Sequence, residues 1–219
     1  MGDIFFWTSV RWITLIMIRV ENISYQNHAG PLVENVSFEV LKGDMLQIVG
    51  GNGAGKTTLI KLILGLLPPT SGEINRNHQR TDCDNCKVGR CNPLWVGHQS
   101  GMKMTLTAEE NLKFYHPHTT QENRRSALGK IYLTGYEDIQ LACLSAGQQR
   151  RVALARLWLS DAILWILDEP FTALDSRGCT LIAQKMRDHT DRGGMLIFTS
   201  HQPIPILDSR VQILNLGVS

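Results

Sequence analysis

The stretch of sequence that decides the fold is Gly50-Gly51-Asn52-Gly53-Ala54-Gly55-Lys56-Thr57-Thr58. Its first eight residues match the pattern G-x-x-x-x-G-K-[ST] at every fixed position. The apolar run Met45-Leu46-Gln47-Ile48-Val49 before it predicts a buried strand, and the run Leu59-Ile60-Lys61-Leu62-Ile63-Leu64-Gly65 after it predicts a helix. A strand, a glycine-rich loop and a helix, in that order, are the context in which this pattern binds phosphate.

The chemistry of this loop predicts a nucleotide site. Glycines let backbone N–H groups turn inward and approach phosphate oxygens, and the start of the following helix adds the positive end of its dipole. We expect Lys56 to contact the β- and γ-phosphates and the Thr57 hydroxyl to ligate Mg²⁺. All nine residues from Gly50 to Thr58 are therefore candidate nucleotide-binding residues.

A second run places two carboxylates where such a site needs them. The residues Ile163-Leu164-Trp165-Ile166-Leu167 are continuously apolar and lead into Asp168-Glu169-Pro170. This pattern predicts a buried parallel strand with acids at its carboxyl end, where α/β sheets bind ligands. We expect Asp168 to help hold Mg²⁺ through its water shell and Glu169 to polarise the attacking water.

A third segment narrows the class of protein. Leu144-Ser145-Ala146-Gly147-Gln148 is followed by Gln149-Arg150-Arg151-Val152-Ala153-Leu154-Ala155-Arg156. Ser145 suits the N-cap of a helix, so the start of this helix predicts a second anion site. Together with the phosphate loop, the segment resembles the signature of ABC-transporter ATPases. It departs from the usual form at Ala146, where most members have a second glycine.

The resemblance implies an α/β fold of the P-loop NTPase class with an ABC-type nucleotide-binding domain. That domain has a mainly parallel core sheet, a small antiparallel β subdomain and a helical subdomain. The implied cofactors are ATP and Mg²⁺. Two copies of the chain are implied to pack head to tail, so that the phosphate loop of one copy and Ser145, Gly147 and Gln148 of the other enclose each ATP.

Further single residues match the family in order along the chain. By resemblance, Tyr25 stacks on adenine, Gln99 of the Q-loop touches Mg²⁺, Asp175 closes the D-loop, and His201 is the switch histidine near the γ-phosphate. The resemblance runs from about Met17 to the end of the chain. It implies a catalytic set of Lys56, Glu169 and His201 and a magnesium set of Thr57, Gln99 and Asp168.

Longer stretches are similar to one branch of the family, the ATP-binding subunits of the bacterial haem exporters of cytochrome c maturation. These stretches are 94–99, 106–116, 148–159, 164–175 and 201–203. The similarity implies a peripheral protein on the cytoplasmic face of the bacterial inner membrane. Its partners are then a separate membrane permease and other cytochrome c maturation membrane proteins, and its ATP hydrolysis drives release of a haem-loaded periplasmic chaperone.

Two other functions remain open. The chain could serve a different small-molecule ABC transporter, which would differ in the stretches 94–99 and 106–116 that we expect to face the permease. It could also be a soluble ABC protein acting on ribosomes or DNA. The single phosphate loop, the lack of a heptad run and the near-neutral charge disfavour that third function.

Composition bounds these functions. The 219 residues suit one α/β domain, and 43% of them are hydrophobic. The net charge of +2 gives no argument for nucleic acid, and we expect phosphate or interface roles for the clustered Arg150, Arg151 and Arg156. No apolar run reaches the about 20 residues that span a bilayer, so a transport role requires separate membrane chains.

The order of patterns predicts how the chain is organised. Alternation within 17–48 predicts a small antiparallel sheet, and residues 100–140 combine apolar positions with charges in a way that predicts helices. We therefore assign 17–219 to the nucleotide-binding domain and about 100–160 to a helical subdomain that carries the signature on its edge. The second half alternates strands and helices, as a parallel sheet requires.

The first 16 residues fall outside the family pattern. Residues 1–16 are too short and too charged to span a membrane, and Asp3 stands where a signal peptide has positive charge. We expect that translation begins at Met17, and the alternative is a membrane-surface anchor. The intact mass of the native protein distinguishes the two.

A cysteine-containing insertion is the other departure. His78, Cys83, Cys86 and Cys91 offer four metal ligands in a C-x₂-C-x₄-C arrangement, but only one C-x₂-C pair is present. The alternative is a surface loop with reduced thiols, which suits the reducing cytosol expected for five cysteines without a secretory signal. Metal analysis of protein purified without chelator tests between them.

Overall fold

The computed structural model describes residues 17–28, 30–76, 92–98, 101–200 and 211–217. Its strands are β1 (Met17–Asn27), β2 (Gly30–Leu41), β3 (Met45–Val49), β4 (Ser71–Arg76), β5 (Leu94–Val96), β6 (Leu164–Leu167), β7 (Met195–Thr199) and β8 (Val211–Asn215). Its α-helices are α1 (Lys56–Ile63), α2 (Ala108–Tyr115), α3 (Gln121–Lys130), α4 (Ala146–Ala155) and α5 (Ser176–Asp191). Short 3-10 turns follow at Leu141–Cys143 and Arg156–Trp158.

A parallel sheet forms the centre of the described chain. Its strand order is β5-β6-β7-β3-β8, and every paired neighbour runs parallel. Both faces are covered, because alternate residues of β6 enter different cores: Leu164 and Ile166 pack with α1, whereas Trp165 and Leu167 pack with the helices of the second half. Burial on both faces explains why β6 has no polar residue and confirms the strand predicted at 163–167.

A smaller antiparallel sheet lies against the other side of α1. Its order is β2-β1-β4, and its inward residues Ile18, Val20, Ile23 and Val40 belong to the same core as α1. This confirms the antiparallel sheet predicted within 17–48, to which β4 from outside that range adds a third strand.

The helix after the phosphate loop begins earlier than the sequence indicated. We predicted helix from Leu59 to Gly65, whereas α1 begins at Lys56 and ends at Ile63. Gly55 is left-handed, with φ 87°, and a Cβ there would lie 2.2 Å from the carbonyl oxygen of Leu32. The chain therefore turns directly from the loop into the helix, which places Lys56 and Thr57 in its first turn.

The predicted helices of 100–140 are present as α2 and α3, and the signature segment forms α4 beside them. A capping box between Thr107 and Glu110 starts α2. The fully buried Asn111 donates to the carbonyls of Lys103, Leu106 and Thr107, which ties the preceding loop to this helix. The proposed boundaries of the helical subdomain at 100–160 and of the whole domain at 17–219 stay predictions.

Several predictions fall on parts of the chain that are not described. Residues 1–16, the insertion with Cys83, Cys86 and Cys91, and the site residues Gln99 and His201 all lie outside the described ranges. Among the helices that the structure does describe, none combines the length and apolar character needed to cross a membrane. The same described ranges contain no group of three or more histidine, cysteine or acidic side chains arranged to hold a metal ion.

Candidate nucleotide site

The phosphate loop and the two predicted acids line one open cleft of about 1120 Å³. They meet because β3 and β6 are parallel strands of one sheet, and both segments follow the carboxyl ends of these strands. The residues lining the cleft are Leu32, Asn52, Gly53, Ala54, Gly55, Lys56, Thr57, Thr58, Lys61, Trp95, Gly97, His98, Gly101, Asp168 and Glu169. The structure therefore places the two motifs, each expected at the carboxyl end of a strand, in the same cleft.

The side chain of Lys56 folds back over the phosphate loop that precedes it. Its side chain is buried, and Nζ donates hydrogen bonds to the carbonyl oxygens of Gly50 at 2.8 Å and Gly51 at 2.9 Å. Glycine is required at position 50, since a Cβ there would lie 2.7 Å from the carbonyl oxygen of Leu216. An ammonium group has three N–H donors, so Lys56 retains one for an anion in the cleft.

Asp168 is a buried carboxylate that accepts hydrogen bonds from two hydroxyl groups. Thr57 Oγ1 donates to one of its oxygens at 3.1 Å, and Thr199 Oγ1 donates to the other at 2.7 Å. Thr57 and Asp168 therefore present adjacent hard oxygen atoms beside the phosphate loop. This donor set fits Mg²⁺, which prefers one or two protein oxygens together with water and substrate phosphates.

Glu169 has an uncommon backbone conformation for its residue type. Its φ is +51°, in the left-handed region, which costs about 1–3 kcal/mol for a residue other than glycine. The backbone N–H donates to Thr199 Oγ1 at 2.8 Å, and the side-chain oxygen Oε2 accepts a hydrogen bond from Thr172 Oγ1 at 3.2 Å. These contacts hold the carboxylate at the wall of the cleft.

Arg150 connects the signature helix to this wall, a role that the sequence prediction missed. Its Nη1 donates to the carbonyl oxygen of Gly97 at 2.7 Å, and its Nη2 donates to those of Asp168 at 2.7 Å and Glu169 at 2.9 Å. Burial lowers the pKa of its guanidinium, and the charges of Asp168 and Glu169 oppose that shift. We expected a phosphate or interface role for Arg150. The structure corrects this expectation, because the guanidinium donates its hydrogen bonds to backbone carbonyl oxygens.

Arg156 likewise lacks the phosphate or interface role that we expected, because it is buried. Arg151 instead forms an ion pair nearer the surface. Arg156 is buried, donates to the carbonyl oxygen of Trp95 at 3.1 Å and stacks over the ring of Tyr115. Arg151 pairs with Asp175 at 2.9 Å. One signal in the sequence could have indicated the burial of Arg150: the apolar Ala153 and Leu154 follow it at the spacing of one helix face.

We expect the Arg150→Gln variant to lose roughly 2–4 kcal/mol of the free energy of unfolding, because three charge-assisted hydrogen bonds to buried carbonyls are removed. Urea unfolding followed by circular dichroism measures this loss. Arg125→Gln is the matched control, since Arg125 makes an ion pair on the surface with Asp138. Equal stability of the two variants would contradict the assignment.

The signature residues lie at a different surface of the same chain. Ser145 is the N-cap of α4, as predicted, and forms a capping box in which its Oγ accepts from Gln148 N and its N–H donates to Gln148 Oε1. Gly147 is required, since a Cβ there would lie 2.9 Å from the carbonyl oxygen of Ala173. None of Ser145, Gly147 and Gln148 lines the cleft of its own chain. Ala146 has ordinary helical geometry, so this position does not need the usual glycine.

Asp175 is the N-cap of α5. The pKa of its carboxyl is lowered, mainly by the hydrogen bond from the N–H of Gly178 and also by the charge of Arg151. Tyr25 lies on β1 opposite Val33 and is partly buried, and neither Tyr25 nor Asp175 lines the cleft. Sequence reasoning also missed Thr199, which bridges Asp168 and Glu169, and His98, which lines the cleft.

A family model described as ABC transporter matches residues 33–172, which include both the phosphate loop and the signature. The chain belongs to the ABC transporter family. It is accordingly an ATP-binding and ATP-hydrolysing protein of the P-loop NTPase class, with the mainly parallel sheet, antiparallel sheet and helices that the sequence predicted.

Curated relatives in this family are similar along nearly the whole chain. The cytochrome c biogenesis ATP-binding export protein CcmA of Escherichia coli O157:H7 is 45% identical over 204 residues, which cover 91% of this chain and 96% of that protein. CcmA of Shigella flexneri is 44% identical over the same shares. These similarities confirm the resemblance to the cytochrome c maturation branch of the family.

Solved structures agree with the fold. An ATP-binding subunit of an ABC transporter is 25% identical, with a TM-score of 0.73, and the match covers 92% of this chain and 88% of that one. An ATP-binding cassette solved as a dimer in a post-hydrolysis state with ADP and phosphate is 24% identical, with a TM-score of 0.75. That match covers 92% of this chain and 97% of the other.

Proposed function

We propose that this chain is the ATP-hydrolysing subunit of a bacterial ABC exporter complex for cytochrome c biogenesis. The observation that carries the ATPase chemistry is the meeting of Lys56, Thr57, Asp168 and Glu169 in one cleft. The observation that supports the biological role is the 45% identity to CcmA over 91% of the chain. The chain is then a peripheral protein at the cytoplasmic face of the inner membrane, where its hydrolysis of ATP powers haem export or release of the haem-loaded periplasmic chaperone.

Phosphoryl transfer to water depends mainly on positioning and charge, and each residue has a part in it. The backbone from Gly50 to Thr58 and the Lys56 ammonium bind the phosphates. Thr57 and Asp168, with Gln99, would hold Mg²⁺, which when bound neutralises part of the phosphate charge. Glu169 orients the attacking water and accepts its proton.

The contributions of His201, Tyr25 and Asp175 belong to the same proposal. His201 contacts the γ-phosphate, and Tyr25 stacks on the adenine ring. Asp175 is the last residue of the D-loop and lies next to the signature helix. Its ion pair with Arg151 of α4 supports this position. These three roles come from the family resemblance and are testable by substitution.

A second copy of the chain completes each site. Ser145, Gly147 and Gln148 present a capped helix start that suits an anion, yet they do not line the cleft of their own chain. Packing two copies head to tail brings the signature of one copy to the γ-phosphate bound by the other. The dimer then joins a separate membrane permease and other cytochrome c maturation membrane proteins.

A strain without this chain is expected to lose its haem-containing c-type cytochromes, because the proposed export step has no source of energy. Haem staining of periplasmic fractions measures the loss. Wild-type chain should restore the cytochromes and Glu169→Gln should not, and the wild-type chain should co-purify from membranes with a permease. Normal cytochromes together with loss of another exported small molecule would instead support a different ABC transporter.

A further inference from the structure

His98 lies beside the carboxylate that the proposed mechanism uses. It is the second residue after β5, which ends at Val96, and it lines the cleft together with Glu169. Its Nδ1 atom is 3.7 Å from Oε2 of Glu169. The side chain of Glu169 is 19% exposed and that of His98 is 63% exposed, so a mostly exposed imidazole lies beside a largely buried carboxylate.

The backbone contacts between two adjacent strand ends bring His98 and Glu169 close together. β5 and β6 are adjacent parallel strands, and the Asp168 N–H donates to the Val96 carbonyl oxygen at 2.8 Å. Arg150 donates to the carbonyl oxygens of Gly97 and Glu169. Gly97 directly precedes His98, and Glu169 carries the carboxylate. His98 and Glu169 therefore start from two loops that one guanidinium holds together.

The carboxylate has a second contact on the same oxygen. Thr172 Oγ1 donates to Oε2 at 3.2 Å, while Nδ1 of His98 approaches that oxygen from the other loop. The backbone of Glu169 adopts a left-handed conformation. The Thr172 and His98 contacts thus both converge on Oε2, the oxygen that defines how the carboxylate is turned about its side-chain bonds.

We propose that His98 is a positioning residue for Glu169, which holds Oε2 in place so that the carboxylate faces the attacking water. The proposal rests on the assignment of Glu169 as the group that activates water. His98 acts through Glu169, and it is not assigned a contact with phosphate or a proton-transfer step of its own. Loss of this contact leaves nucleotide binding intact and reduces the fraction of bound complexes that are oriented for reaction.

The test compares His98→Ala with His98→Asn in the full chain, with ATP hydrolysis measured over a range of ATP concentrations. Asn carries an N–H donor at about the place of Nδ1, whereas Ala removes it. We expect Ala to lower kcat about tenfold with KM within about twofold of wild type, and Asn to recover most of kcat. His118→Ala is the control, since His118 is an exposed histidine that does not line the cleft.

Other results overturn the proposal. Unchanged kcat in His98→Ala, a rise in KM alone, or equal losses in Ala and Asn would each show that the contact with Glu169 is not what His98 contributes. His98→Ala should also add little to Glu169→Gln, because its effect passes through that carboxylate. If Glu169→Gln itself hydrolyses ATP at the wild-type rate, the assignment of the base has failed, whatever His98→Ala does.

Discussion

Replacing Glu169 by Gln is expected to slow ATP hydrolysis about 10²- to 10⁴-fold, the usual contribution of a general base. The amide keeps the size of the side chain and can still accept a hydrogen bond from Thr172, but it cannot take a proton from water. Nucleotide binding should persist, because Lys56 and the phosphate loop are untouched. Phosphate release under saturating ATP measures the rate, and gel filtration with ATP should reveal a trapped dimer.

A matched control separates this chemistry from a general effect of lost charge. Glu73→Gln makes the same chemical change on the exposed strand β4, away from the cleft, and should hydrolyse ATP like wild type. Hydrolysis by Glu169→Gln at the rate of this control would remove Glu169 from the mechanism.

Replacing Lys56 by Ala is expected to weaken ATP binding by about 2–5 kcal/mol, which corresponds to roughly 30- to 4,000-fold in Kd. Lys56 is buried at the phosphate loop, so water screens the attraction between its ammonium group and the phosphates only weakly. Titration with a fluorescent ATP analogue in the presence of Mg²⁺ measures the change. Hydrolysis at limiting ATP should fall in parallel.

The control for Lys56→Ala is Lys113→Ala, which removes the same charge from an exposed position of α2. Its Kd should equal that of the wild-type chain. Thermal unfolding of both variants verifies that the fold is retained. Wild-type affinity in a correctly folded Lys56→Ala variant would contradict the assignment of this lysine to the phosphates.

Local patterns explain why much of the fold and site was predictable. The strand Met45–Val49 was predicted to the residue, since a buried parallel strand is a continuous apolar run between glycines. The acids after β6 line the same cleft as the phosphate loop because parallel strands end at one edge of the sheet. The start of α1 was missed, because the left-handed Gly55 depends on the close approach of Leu32, which is distant in sequence.

The supporting contacts of the site could not be predicted in this way. Thr199 is 31 residues from Asp168, and Gly97 is 53 residues from Arg150. Such contacts depend on which strands become neighbours, and no local periodicity encodes that. Arg150 illustrates the problem, because a motif containing several arginines suggests phosphate binding until its carbonyl partners are known.

We propose that each ATP lies between the phosphate loop of one copy and the signature of another. Two variants test it, Lys56→Ala and Ser145→Arg, each combined with Glu169→Gln so that ATP stays trapped. Ser145→Arg should bind ATP as an isolated chain, since Ser145 does not line its own cleft, but it should block closure of the dimer.

The deciding measurement is the mass and nucleotide content of these chains in gel filtration with ATP, alone and mixed. Each variant alone should stay monomeric. The mixture should form dimers with one trapped ATP, because the intact phosphate loop of the Ser145→Arg chain then faces the intact signature of the Lys56→Ala chain. A dimer with trapped ATP formed by Ser145→Arg alone, or no dimer in the mixture, would contradict the composite site.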